Sequence, residues 1–422
     1  MDRFTRRGVT VWVVCALFFL YEFLLRTVVG TFQHPIMYDL ELTSFKFSIL
    51  STTTYVLIYG LMQVPVGLII ERFGLKKTLL FACFICVIAT FGFAYSTSFI
   101  MAVFFRFLTG FGCSFGFICL LVSVYDWLPK KNIAFLLGLS QFFGTMGPML
   151  SAGPLESLSE SGHVNWRHVF TLLSMIGFLI SILVFFFVEN NHEKTGGFTI
   201  LKRPEPVLKT LKTLASQAQP WMVALFSAGA YFSIEYLSEN EGRNILISKN
   251  FSPSTSAYVI TLAWFSYAIG CPLFGYLSDK LQRRRLMILL TILTCVVSIV
   301  MMMYATTPLM LGIAFVLLGL GGSGQSLGFA TIAEHYKKQY LATALGLNNA
   351  IMMIFSSLNA PMISLYIDMI KEPEMLRLTD YTHVLTILLF ITGATFIASS
   401  LFIKETFCKS QMSFTILDRK TY

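Results

Sequence analysis

At 422 residues, with 55% hydrophobic side chains, a mean hydropathy of +0.71 and only 13% charged residues, the chain falls outside the range of soluble globular domains, in which about a quarter of residues are charged. Its formal net charge of +9 fits a nucleic-acid partner, an acidic substrate or a membrane topology, and the position of the charges decides among them. Seven of the eight cysteines lie in apolar stretches and Cys408 lies in the last segment. Cys83-Phe-Ile-Cys86 has no second pair or histidine at zinc spacing, so apolar packing is expected, with neither a disulfide framework nor a metal site.

A bilayer core of ~30 Å takes about 20 apolar residues of helix, and twelve such runs follow one another. The first six are Val9–Phe32, Phe47–Ile70, Thr78–Ala94, Phe99–Val124, Ile133–Gly153 and Val169–Val188. The second six are Trp221–Leu237, Ala257–Leu277, Leu286–Tyr304, Leu309–Ile332, Leu341–Leu365 and Val384–Ile403. The first run follows Arg3, Arg6 and Arg7 as a signal peptide would. It is too long for one, holds Glu22 and Arg26 and lacks a small-residue cleavage site, so it is expected to remain as a helix. Long unbroken runs favour helices over the alternating strands of a barrel. With the first residues inside, the inner segments hold 23 Lys and Arg and the outer ones six, which places both termini in the cytoplasm. The basic excess is thus a topology signal and gives no support to a nucleic-acid partner.

The two sets of six repeat with an offset of about 208: Gly67 matches Gly275, Glu71 matches Asp279 and Gly138 matches Gly346, while Gly110 and Gly112 match Gly319 and Gly321 one residue further on. Parallel six-helix repeats are a transporter pattern, with the substrate site expected between the halves near the midplane. The expected fold is all-α and membrane-integral, twelve transmembrane helices in two six-helix bundles at 1–188 and 220–403. A cytoplasmic linker at 189–219 joins them and a cytoplasmic tail follows at 404–422.

The second run ends in Gly67-Leu-Ile-Ile-Glu71-Arg72-Phe-Gly74-Leu-Lys76-Lys77. This resembles the loop 2–3 signature of the major facilitator superfamily, with Glu71 in place of Asp and Leu75 in place of the first basic residue after Gly74. A weaker copy occurs as Gly275-Tyr-Leu-Ser-Asp279-Lys-Leu-Gln-Arg283-Arg284-Arg285. The resemblance implies that Gly67, Glu71, Arg72, Gly74, Lys76, Lys77 and Asp279 form a cytoplasmic gate. Arg106-Phe-Leu-Thr109-Gly110-Phe-Gly112 in the fourth run is similar to the family's Arg-x-x-Gln-Gly-x-Gly pattern, with Thr109 for Gln. Gly144-Thr-Met-Gly147-Pro148 in the fifth is similar to a motif associated with antiporters. Gly110, Gly112, Gly144, Gly147 and Pro148 are expected to serve close helix packing. Trp166-Arg167-His168 at the entry to the sixth run is a further family feature.

Charges within the runs cost ~2.5–3.5 kcal/mol each at a helix centre on insertion scales, which points to function. Glu22 and Arg26 share one face of the first helix, Arg106 lies in the fourth and Glu235 in the seventh. Counting ~1.5 Å per residue, Glu22 and Glu235 share a depth about 20 Å from their cytoplasmic ends. The family's cavity is lined by helices 1, 4, 7 and 10, so the resemblance implies an arginine that grips a substrate carboxylate and a glutamate that grips an amine or carries a proton. The competing expectation is a mutually neutralising pair, Glu22 with Arg26 or a glutamate with Arg106. Gln141, Asn349 and Trp264 are further candidates for substrate contact, Gln141 and Asn349 at matching repeat positions. Glu239, Glu241 and Arg243 are expected at a solvated outer mouth.

Gly319-Leu-Gly321-Gly-Ser-Gly324 fits a dinucleotide fingerprint but lies in an apolar run with no strand before it. No phosphate-loop, His-Glu-x-x-His or Gly-x-Ser-x-Gly motif occurs, so no enzyme, cofactor or ATP-driven pump is expected. Tyr21-Glu22-Phe-Leu-Leu-Arg26 resembles the first helix of phagosomal nutrient transporters of intracellular bacteria, without the proline often found after the arginine. That resemblance implies proton-coupled import of an amino acid or similar nutrient by a monomer in the bacterial inner membrane. An organic-anion or sugar-acid carrier, a drug-efflux antiporter and a non-transporting receptor or scaffold are the alternatives.

Overall fold

The computed structural model describes residues 4–129, 133–155, 165–190, 207–305, 307–336, 338–370 and 378–408. Most of the 189–219 linker and the tail beyond residue 408 lie outside the described residues.

All regular structure among the described residues is helical. Its first half runs α1 (Arg6–Thr31), α2 (Gln33–Asp39), α3 (Ser44–Ser48), a π-helical turn (Ile49–Thr53), α4 (Thr54–Phe73), α5 (Leu75–Ala94), α6 (Phe99–Cys113), α7 (Gly116–Trp127), α8 (Ile133–Ser151) and α9 (Trp166–Phe187). Then follow α10 (Val207–Ala215), α11 (Ala218–Tyr236), a second π-helical turn (Leu237–Glu241), α12 (Gly242–Ser248), α13 (Pro253–Leu281) and α14 (Arg284–Tyr304). Last come α15 (Pro308–Gly322), α16 (Gln325–His335), α17 (Lys338–Ile370) and α18 (Leu378–Phe402).

Ten of the twelve predicted runs fall on helical stretches long and apolar enough to cross a membrane. This is the only regular structure besides a closed barrel that pairs every backbone group internally in lipid. The fifth and seventh runs fall on α8 and α11, outside those ten; α11 carries Gln219, Pro220 and Glu235 among its apolar residues. The chain is a multi-pass membrane protein.

Contacts gather the chain into two compact units. One comprises Met1–Ile200, Tyr236–Phe265 and Ser356–Asp380; the other comprises Leu201–Glu235, Ser266–Phe355 and Tyr381–Tyr422. In the first, α1 packs on α6, α7, α8 and α9. In the second, Phe226, Ile288, Ile292, Cys295 and Leu327 are among the buried side chains of one apolar core.

The internal repeat is visible as paired contacts, each within its own unit. Gly112 lies on Cys86 so closely that a Cβ would stand 2.7 Å from the sulfur, and Gly321 lies on Cys295 with the corresponding distance 2.5 Å. Both pairs obey the 209-residue offset. Ser98 caps α6 by accepting from Met101 N, and Thr307 caps α15 by accepting from Met310 N. The fourth and tenth runs, expected to be continuous, are interrupted. Ser114 donates to the Phe111 carbonyl between α6 and α7, and Ser323 donates to the Leu320 carbonyl between α15 and α16. A serine hydroxyl bonded back to its own turn competes with the helical ladder and bends it.

The seventh run also departs from expectation. It passes beyond Leu237 through a π turn into α12, a wide turn that occurs mostly as single inserts at functional places. Where α1 crosses α8, Gly144 faces the Phe19 ring and a Cβ on Gly147 would meet the Leu20 carbonyl and the Leu24 nitrogen, each at 2.6 Å. Because backbone cannot yield as a side chain can, Gly147→Val is expected to destabilise by about 1–3 kcal/mol or more. Gly393→Ala, with nothing within 4 Å of its added Cβ, is the control. Thermal unfolding in detergent reads the difference, and equal midpoints would show that the crossing is not tight.

Candidate functional site

The apolar run of α1 interrupts itself with Glu22 and Arg26, one helical turn apart, and both are buried. Their partners come from elsewhere in the chain. Arg26 Nε donates to Glu239 Oε1 at 3.2 Å, with both side chains buried, so the ion pair joins α1 to the second π turn. Gly30 permits this approach, since a Cβ there would lie 2.8 Å from the Glu239 backbone. The expected Glu22–Arg26 pair is therefore replaced by a long-range one, and Glu239 does not face a solvated mouth. Neighbouring Asn240 is held by the first π turn, accepting from Ser51 Oγ at 3.2 Å and donating to Thr52 Oγ1 at 3.1 Å.

Glu22 takes a different environment. Its Oε1 accepts from the Tyr59 hydroxyl at 3.2 Å, and its backbone carbonyl accepts from the Tyr55 hydroxyl at 3.3 Å. Oε2 abuts Gly116, where an added Cβ would stand 1.9 Å away, and has no hydrogen-bond partner among the described residues.

Arg106 of α6 is buried and turned toward backbone. Nη1 donates to the Leu25 carbonyl at 2.7 Å, and Nη2 donates to the Arg26 carbonyl at 2.7 Å and the Ser51 carbonyl at 3.1 Å. The guanidinium lies over the Tyr55 ring, 4.4 Å from its centroid, a stacked cation–π contact. In this state Arg106 ties α1 to the first π turn.

A cavity of about 20 Å³ lies beside the cluster, bordered by Thr27, Thr31, Pro148, Ser151, Asn240, Arg243 and Trp264. It has room for one water and not for an organic solute. Trp264 is buried against it. Of the remaining candidates, Gln141 is half-buried, Asn349 is buried in α17, and Glu235 is buried at the end of α11 in the second unit. Among the described residues no group of three or more His, Cys, Asp and Glu could hold a metal.

At the Gly8 end of α1 the signature loop is built differently from its sequence pattern. Arg72 and Lys77 are exposed, Arg72 over the Phe73 ring at 5.3 Å, and Lys76 Nζ lies 5.3 Å from the Phe185 ring. Gly67 faces open space. Gly74 has φ +80° and lies on Asn190, whose Oδ1 caps α5 by accepting from Lys76 N at 3.0 Å. A residue with a Cβ would be strained at that φ and would collide with Asn190. The Glu71 side chain lies outside the described residues. In the second unit Asp279 pairs with Arg284 at 2.7 Å, and Arg284 also pairs with Glu334 at 2.8 Å. Glu405 caps α14 by accepting from Arg284 N at 2.8 Å and Arg285 N at 3.1 Å. Asn190 and Glu405 thus do one job at the ends of the sixth and twelfth runs. The sequence reading missed both, as it missed Asn240, Tyr55 and Tyr59, and it placed Glu239 at a solvated mouth. Only Glu239 left a signal, as an acid close after the seventh apolar run.

A model of the Major Facilitator Superfamily matches residues 14–240 and 244–408 of this chain. An uncharacterized transporter of Schizosaccharomyces pombe is 25% identical over 345 residues, 74% of this chain and 67% of that protein. A protein of Cupriavidus necator described as a probable sulfoacetate transporter, SauU, is 23% identical over 296 residues, 67% of each chain. The crystal structure of a bacterial homolog of the human lysosomal transporter Spinster, inward-facing and unoccupied, superimposes with a TM-score of 0.73. It is 17% identical and the match covers 95% of this chain and 99% of that one.

Proposed function

We propose that this chain, which belongs to the major facilitator superfamily, imports a small polar nutrient of the amino-acid type and draws on the proton gradient to do so. The family and the fold are those of secondary transporters carrying small molecules, not of enzymes. The proposal extends to twelve helices in two bundles, 1–188 and 220–403, with the 189–219 linker, the 404–422 tail and both termini in the cytoplasm, and to a monomer in a bacterial inner membrane.

The observation that carries the reading is the buried charged set at α1: Glu22, one oxygen of which has no hydrogen-bond partner among the described residues, one turn from Arg26, which is paired with Glu239. Carboxylates held inside a membrane protein serve as proton relays, and an α-amino acid presents both charges for which such a set has complements. Glu22, Arg26, Glu235, Gln141, Asn349 and Trp264 are the proposed contributors to solute or proton binding, with Arg106 holding α1 in place. The signature residues of the Gly67–Lys77 loop, with Asp279, serve as the gate.

Uptake of labelled amino acids into proteoliposomes is expected to exceed equilibration only with an inward proton gradient. Accumulation unchanged by a protonophore would end the proton-coupled reading. A second reading, an organic-anion carrier, is favoured by the likeness to the probable sulfoacetate transporter. It predicts that sulfonates and sugar acids compete for uptake and amino acids do not.

A further inference from the structure

We infer that Cys86 of α5 and Cys113, the last residue of α6, form an oxidation site at which a hydroperoxide closes a disulfide and fastens the two helices together. Their sulfurs lie 3.7 Å apart and both side chains are buried. A disulfide brings the sulfurs to about 2.05 Å, and the helices are already close enough for that. Gly112 seats α6 on α5, so that a Cβ there would stand 2.7 Å from Cys86 Sγ and 3.2 Å from the Cys86 nitrogen. Cys83, the rival for Cys86 in the sequence, stands three residues earlier on the same helix. At that spacing Cβ atoms are about 5–6 Å apart, against the ~3.5–4.5 Å that a disulfide takes.

The internal repeat supplies the contrast. Cys86 and Cys295 are 209 residues apart, and each lies under a glycine, Gly112 or Gly321. The residue 209 beyond Cys113 is Gly322, where an added Cβ would meet Ile234 at 2.9 Å. Cys295 thus has the same seat without the second thiol, and its sulfur donates to the Ala230 carbonyl at 3.8 Å. The glycine seat alone does not call for a second cysteine.

Burial selects the oxidant. Bulky and charged reagents are kept from these sulfurs, whereas an apolar alkyl hydroperoxide, the class that peroxidised lipid supplies, partitions into the bilayer. One sulfur attacks the hydroperoxide oxygen; the O–O bond breaks, an alcohol leaves with the thiol proton, and the cysteine becomes a sulfenic acid. The other sulfur attacks the sulfenic sulfur; the S–O bond breaks and water leaves with the second proton. Two thiols give up two electrons, and one hydroperoxide is reduced to alcohol and water. The bond falls beside Ser114, at the break between α6 and α7, and pins the end of α6 there.

The test needs neither solute nor coupling ion. The full chain in nanodiscs is treated with cumene hydroperoxide, unfolded, alkylated and digested, and its peptides are weighed. Cys86 and Cys113 are expected to leave the alkylated fraction together and to return as one linked peptide, which dithiothreitol splits. Cys295, seated alike, is expected to stay alkylatable. In Cys113→Ala, Cys86 is expected to form no linked peptide. Amide exchange across Ser114–Gly116 is expected to slow in the oxidised protein. The inference is overturned if Cys86 and Cys113 stay as thiols, if Cys86 links to Cys83 instead, or if Cys295 is oxidised to the same extent. It is overturned equally if a chain unfolded before treatment gives as much of the linked peptide, or if exchange at the break is unchanged by the bond. Should Cys113→Ala fail to fold, Cys113→Ser replaces it, and the wild-type linkage stands as a test without either.

Discussion

Arg26→Leu is expected to cost about 3–5 kcal/mol of stability, because it leaves Glu239 buried without its cation. Glu239→Leu is expected to be destabilising as well, because it removes the carboxylate 3.2 Å from the buried Arg26. The double variant removes both charges together and fills their place with apolar atoms, so it is expected to be more stable than either single variant. Chemical unfolding in detergent, read as a double-mutant cycle, measures the coupling. The i,i+4 pair anticipated from the sequence makes the opposite prediction: strong coupling of Arg26 to Glu22 and little to Glu239. Single-variant losses for Arg26 and Glu239 that simply add would show that the 3.2 Å contact between them carries no net weight.

Arg106→Lys is expected to be nearly as damaging, although it conserves charge. Arg106 addresses three carbonyls, those of Leu25, Arg26 and Ser51, and lies over the Tyr55 ring. A lysine ends in one nitrogen and has no plane to stack. At about 1.5–3 kcal/mol per charged hydrogen bond, losing two of the three removes about 3–6 kcal/mol. The same substitution separates holding the fold from gripping a solute. If the role is architectural, thermal stability falls and ligand affinity per folded molecule is retained. Unchanged stability with affinity lost would return Arg106 to the substrate site.

Much of the fold could be read from the amino acids because lipid imposes a coarse rule: long apolar runs must be helices. The 209-residue offset recovered from glycines reappears as atomic contacts, Gly112 on Cys86 and Gly321 on Cys295. The interruptions escaped because hydropathy averages over them. Ser114 and Ser323 are two polar residues inside apolar runs, and their effect is local bonding to the preceding turn.

At the site, the structure gives Arg26 of α1 a partner other than the one its spacing in the sequence offers. A four-residue spacing is visible in a linear string, whereas the pairing of Arg26 with Glu239 spans 213 residues. Glu239 was assigned to solvent because the helix was expected to stop at Leu237. Its continuation depends on tertiary contacts to Gly30, Ser51 and Thr52 that no local propensity records. Asn190 and Glu405 stayed hidden for the same reason: each caps a helix distant in sequence.

The paired seats of Cys86 and Cys295 bear on how the chain can be handled with thiol reagents. Both sulfurs are buried beneath a glycine of a neighbouring helix, so maleimides reach them only when the helices part, and reaction there would report unfolding instead of transport. Removing them calls for alanine or serine, because a branched replacement has no space under Gly112 or Gly321. Cys271 and Cys408, both partly accessible, are the ones to replace first when a reporter cysteine is introduced elsewhere.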